Sequence, residues 1–379
     1  MASNLSVSGP LPLVSGRASV GGGVLRCMNI RVFNGSLGQS DGQVIVDGGV
    51  LISGAFEDYG PPFIGGGSLS GGIMESTSFG VEDVASFAQS GGTNSVAGDL
   101  GMGQIAHFIL EAGWLCTSNT VVSQPNEIDT GLDTHFVQDG GVHWVTNSLS
   151  VDGLDADYSL RTGTLIASNI VVSDQSRLIV GASPGVAISN GGSFTLQGGT
   201  LELSNTVQNF GGLIVSQAFS YFYPFLDNYI DFASGNSRVG FADSGGQQWD
   251  PAVILYIDGW NGSASGGGAD QIIFGNSASG LTAAQLQQIQ FESPAGFPAG
   301  TWSAKILPTG EVVPSMQPRL TTFVSGSNFF VQWPASSAFI LQAATNAAGP
   351  YEDISNAFDP FTSDMRQFPQ RFFRLREQQ

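Results

Sequence analysis

One phrase is written several times between Thr134 and Gln217: an aromatic residue, an alternating polar/apolar run, a Gly-Gly pair or near-pair, and a second alternating run. Phe136 with Gly140-Gly141 begins one copy, and Phe194 with Gly198-Gly199 another. Tyr158 begins a copy in which Thr162 stands for the first glycine before Gly163, and Phe210-Gly211-Gly212 a shortened one. Upstream, Phe87 with Gly91-Gly92 repeats the phrase, and Val44 to Ile52 around Gly48-Gly49 is a further version. Strict alternation marks strands with one buried face, and glycine supplies a sharp corner without steric penalty. A short strand pair cannot bury its apolar face alone, whereas stacked copies can. The pattern therefore predicts an all-β fold, a parallel β-helix or β-solenoid, with coils about 4.8 Å apart. The copies are unevenly spaced, so loops of different length must leave the repeats.

Composition narrows the class. Glycine is 53 of 379 residues, about twice the usual share, and charged residues are 11%. With 41% hydrophobic residues the chain is ordered, and ordered by turns. No apolar run is long enough for a membrane span, so membrane insertion is not expected. The net charge is −19 and Lys305 is the single lysine, which repels nucleic-acid phosphates and anionic lipids. Such a surface suits a protein kept soluble outside cells, although residues 1–20 show no basic stretch followed by an apolar run. Cys27 and Cys116 lie in no metal or redox spacing; a disulfide and two free thiols both remain open.

Four segments follow. Residues 1–20 form an extended, proline-punctuated arm that either caps the first coil or adds as a strand to a neighbour. Residues 21–219 carry the β-helix repeats, with a turn cluster around Phe56 to Phe63 outside them. Residues 220–315 form a capping module, opening with an aromatic plug at Ser220 to Leu226 that shields the last coil's edge. Its one helix, Ala283 to Ile289, has Thr282 as N-cap, Gln285 completing a capping box, and Leu281 with Leu286 as hydrophobic staple. Residues 316–379 make a small C-terminal β domain, sandwich-like, holding five of the eleven arginines. That basic end either docks to the acidic body of another molecule or protects an edge strand by charge.

Phe241-Ala242-Asp243-Ser244, the Gly259-Trp260-Asn261-Gly262 turn, Gly266 to Asp270, Gly280 to Leu286 and Leu307 to Pro314 resemble a known closing module. It belongs to secreted bacterial autotransporter-like β-repeat proteins, PEP-CTERM-associated, of planctomycete and verrucomicrobial type. The resemblance covers roughly residues 80 to 314 and is specific over 240 to 314. It implies secretion, a parallel β-helix and a surface or matrix location, and no catalytic residues. After Pro314, where a sorting tail would stand, the sequence departs from the pattern.

Few residues invite chemistry. Asp152, Asp155 and Asp157 put three carboxylates in one loop, a calcium candidate that no glutamate closes and for which solvated turn residues are the better reading. Asp258, Asn261 and Asp270 form a second such group, explained by turn geometry alone. His107, His135 and His143 are read as surface or loop residues. Polysaccharide-cleaving β-helices need clustered carboxylates or a base on one face. Asp139, Arg161, Arg177 and Glu202 are spread one per coil without shared register. The expectation is a non-catalytic extracellular or cell-surface structural protein without a cofactor, its partner a second copy of itself in a filament. The alternative is a carbohydrate-binding or carbohydrate-cleaving β-helix with surface glycans as partners, marked by exposed aromatic ladders on one face.

Overall fold

The computed structural model describes residues 5–8, 17–33, 36–53, 65–124, 133–182, 185–218, 226–315, 320–326, 328–333, 339–355, 357, 360–367 and 370–377. Most of the arm, the turn cluster after Ala55 and the aromatic plug Ser220 to Phe225 lie outside these residues. The fold is all-β, with one short helix, Ala283–Gln287. No helix among the described residues is long and apolar enough to cross a membrane.

The body is one large sheet of mostly parallel ladders. Its topology corrects the β-helix expectation: the sheet is a closed ten-strand parallel β-barrel with further strands outside it. Part of the closure can be followed strand by strand. Ser36–Ser53 pairs with Ile73–Glu82, that with Thr93–Gly103, then Trp114–Ser123, then Thr134–Asp152. The ladder returns through His107–Leu110, Ala85–Gln89 and Gly65–Leu69 to Ser36–Ser53. The reason lies at the glycines. The repeat pattern reads each Gly-Gly as the end of a short strand. That holds at Gly91-Gly92 and Gly198-Gly199, but Gly140-Gly141 lies inside a 19-residue strand and Gly163 inside the 18-residue strand Ala156–Ser173. Each long strand bends there and keeps hydrogen-bonding, so it is shared among several partners and the ladders turn back on themselves.

Register does the packing. Phe87, Phe108, Phe136, Tyr158, Leu178, Leu201, Ile230, Ile257 and Phe291 share one inward position on successive strands. The Phe108 and Phe136 rings stack at 4.8 Å and 4°, Phe136 and Tyr158 at 4.5 Å and 7°. Ladders and core run on without a break from Thr200–Ser204 into Asn228–Ser234 and beyond. Direction reverses only at Thr301–Ile306 and Glu311–Pro314, which pair antiparallel. The short helix carries the expected capping box, with Thr282 and Gln285 bonded reciprocally. At the other end, Leu5–Ser8 of the arm pairs in parallel with Ile30–Phe33 of the same chain.

The C-terminal segment forms two three-stranded sheets around its own small core of Val331, Trp333 and Leu341. Its arginines are used locally: Arg376 pairs with Asp353 at 2.7 Å, Arg366 with Asp364 at 3.3 Å, and Arg374 lies 4.1 Å over the Tyr351 ring. Cys27 is buried and Cys116 half-buried, and no disulfide joins them.

One corner sets the register. Gly72, Gly92, Gly113, Gly141 and Gly163 all have positive φ, and a Cβ on Gly113 would stand 2.4 Å from the Gly92 carbonyl oxygen. Gly113→Ala is expected to cost about 1–3 kcal/mol of stability, read as a lowered urea midpoint with an unchanged m-value.

Candidate functional site

In a parallel in-register sheet, equivalent residues stack into columns, and alternate columns face outward. Counting from the corner glycines gives the outward positions. The first residue after each corner faces out, as Ile73, Thr93, Trp114, Val142 and Thr164 do. The third faces out too, giving Glu75, Ser95, Cys116, Trp144 and Ile166. Trp114 and Trp144 are 49% and 45% exposed, diagonal neighbours on adjacent strands.

The main chain at Trp114 is fixed from both sides. The Trp114 N–H donates to the Gly92 carbonyl at 2.9 Å, and its carbonyl accepts from the buried Gln89 amide at 2.9 Å. Gln39 and Gln138 do the same two strands away on either side, donating to the Ile73 and Thr164 carbonyls. Behind Trp144 lies a polar chain. His143 Nε2 meets the Thr120 hydroxyl at 3.1 Å, His143 Nδ1 meets the Tyr158 hydroxyl at 2.9 Å, and Tyr158 donates to Gln138 at 2.7 Å. His143 is therefore not the surface residue expected: it is fully buried and stacked at 5.0 Å on Phe136. Burial pushes its pKa down to about 3, so it sits neutral in the core. On the strands of Thr93, Trp114, Val142 and Thr164 these two columns carry no charged side chain, whereas Glu75 stands in the second column beside Ser95.

A second outward column is titratable. Ser86, His107, His135, Asp157, Arg177, Thr200, Tyr229 and Tyr256 share one register. His135 Nδ1 lies 2.5 Å from Asp157 and its Nε2 3.2 Å from Asp133. The hydrogen bond to Asp157 holds the His135 pKa above the usual histidine value, against burial. Burial, then repulsion from His135, lowers that of His107. Beside this column, Glu202, Asp231 and Asp258 are in register. Burial, then the neighbouring carboxylates, raises the Asp231 pKa.

The calcium candidates separate. Asp152 accepts from the Ser173 hydroxyl at 2.6 Å, Asp157 is bound to His135, and Asp155 occupies a left-handed turn at φ 63°. Asp270 is buried and ties a turn, accepting from the Ser237 and Asn261 amides at 2.9 Å each. Among the described residues no group of three or more His, Cys, Asp or Glu is placed to hold a metal ion. Asp139, Arg161, Arg177 and Glu202, expected to lie apart, form two ion pairs across neighbouring strands: Arg161–Asp139 at 3.8 Å and Arg177–Glu202 at 3.9 Å.

Sequence reasoning missed the tryptophan pair as a surface. Neither Trp114 nor Trp144 stands at the aromatic position that opens a copy of the repeated phrase. The usable signal was the phase set by Gly113 and Gly141.

His135 yields a pH test. Its raised pKa contributes stability that is complete below about pH 6.5, its ordinary value, and is lost as pH rises through the folded-state value. His135→Gln should flatten the fall in unfolding free energy expected for the native chain as pH rises above about 6.5, measured by urea titration. His143 acts with the opposite sign, since acid below about pH 6.5 favours the unfolded chain in which it can protonate.

No protein-family model, curated protein or solved structure matches the chain.

Proposed function

We propose that this chain is a non-catalytic extracellular protein that attaches to neutral polysaccharide through the Trp114/Trp144 face. The observation that carries the reading is two half-exposed indoles, diagonal neighbours on adjacent strands whose outward columns carry no charged side chain beside them. The C–H side of a sugar ring packs against the electron-rich face of an indole, and large exposed aromatics are unusual unless something covers them. Thr93, Ser95 and Thr164 supply hydroxyls beside the rings. A neutral partner fits this strip, while the net charge of −19 disfavours nucleic acid and anionic polymers. The resemblance to secreted bacterial β-repeat proteins agrees with an extracellular setting. A non-catalytic role is favoured because titratable side chains of these columns are engaged with one another, His135 with Asp157 and Arg177 with Glu202.

Self-assembly is the less favoured reading. Filaments built through the N-terminal arm would have to recruit a second chain by the outer edge of Leu5–Ser8, since Ile30–Phe33 already occupies the inner one. Among the C-terminal arginines, which docking to an acidic body would need, Arg366, Arg374 and Arg376 are met by partners within their own segment.

Co-sedimentation with microcrystalline cellulose, chitin and starch granules tests the proposal. The native chain is expected to bind at least one of them. Trp114→Ala and Trp144→Ala should each weaken binding about tenfold, while Tyr256→Ala leaves it unchanged. Retention of full affinity by the Trp114→Ala/Trp144→Ala variant, or no binding by the native chain, would sink it.

A further inference from the structure

A trough crosses a different side of the sheet. Arg31, Leu51, Gly80, Gly101 and Val121 occupy one outward register on five neighbouring strands. The two glycines remove the side chains from its middle and leave an open cavity of about 400 Å³, within the size range of small-molecule sites. Glycine in a strand interior weakens the strand, and it marks either a tight contact, an unusual backbone conformation or the approach of another group. At Gly101 neither structural reason applies: its φ is not positive, and a Cβ there would meet nothing within 4 Å. At Gly80 a Cβ would come 3.0 Å from the Leu51 side chain and 3.6 Å from Glu82 Oε1. The Glu82 carboxylate therefore leans toward the bare floor. Asp99 stands on the opposite rim, where its Oδ1 accepts from Asn119 at 2.7 Å, and exposed Arg31 closes one end.

From this geometry we infer that the trough is a binding site for a small neutral saccharide, free or at the end of a polymer. Peptide backbone and the Leu51 methyls make a flat, weakly polar floor for the C–H face of a sugar ring. Carboxylates on the two long rims accept from hydroxyls on either side of that ring, and the Arg31 guanidinium donates to its oxygens. Mixed charge at the rim suits a ligand with donors and acceptors all round and no net charge. The site shares the carbohydrate chemistry proposed for the tryptophan face but none of its residues, so the two can fail separately.

Gly101→Val is the discriminating variant. It covers the floor at a position where an added Cβ meets nothing within 4 Å and replaces glycine by a good strand former, so the fold is expected to be retained. Ligand-observed saturation-transfer NMR on the full chain would use glucose, galactose, N-acetylglucosamine and cellobiose. At least one is expected to bind the native chain, at least tenfold more weakly the Gly101→Val chain, and equally well the Trp114→Ala/Trp144→Ala chain. A short polymer of the same sugar competing for the trough would mark it as a chain-end site, and its failure to compete would mark a site for the free sugar; both outcomes support the proposal. Three results would overturn it: no saccharide bound by the native chain, unchanged binding by Gly101→Val, or binding lost with the tryptophans instead.

Discussion

The body depends on backbone meeting backbone at a corner with no side chain between. Trp114 N–H reaches Gly92 O, and Val142 N–H reaches Gly113 O, each at 2.9 Å. Both bonds need a glycine in the left-handed region at the bend, because a Cβ would lie where the next carbonyl oxygen sits. With that contact fixed, every residue after the corner has a defined phase. Aromatic rings then fall over aromatic rings inside, and polar or apolar columns form outside. A shift of one residue in any strand would turn its core face to solvent.

Polar groups inside the sheet follow from the same geometry. A bend directs carbonyls inward, where water cannot reach them, and buried polar atoms need partners. Gln39, Gln89 and Gln138 supply amide donors at equivalent corners. The Gln138–Tyr158–His143–Thr120 chain extends this solution across the core. On the other outer edge a ladder of side chains does related work, with Asn147 donating to Asn119 and Asn119 to Asp99. The interior is thus held by oriented hydrogen bonds as well as by hydrophobic burial.

The strand content, the corner glycines and the helix at Thr282 were legible in the sequence, because each rests on local rules of alternation, φ or capping. The closure was not. Tracking aromatics linked Tyr158 to Phe194, 36 residues on, whereas the residue beneath Tyr158 is Leu178, followed by Leu201. Phe194 belongs to another side, above Leu213. Any large apolar residue fills an inward position, so aromatic identity was a false marker of register. His143 was misplaced because its partners, Thr120 and Tyr158, lie 23 and 15 residues away. The same long-range pairing explains why Arg177 and Glu202 looked unrelated in the sequence. The trough at Gly80 and Gly101 is a property of two strands side by side, which neither strand announces alone.

The six tryptophans divide sharply by environment. Trp114 and Trp144 stand half in solvent, whereas Trp249, Trp260, Trp302 and Trp333 are all less than one tenth exposed. Indole emission moves to longer wavelength in water, so the intrinsic fluorescence of this chain has two components separable by colour and by collisional quenching. The long-wavelength one belongs to a single patch of the sheet. The molecule therefore carries its own optical label on one face, and the shielded indoles serve as an internal standard in the same spectrum.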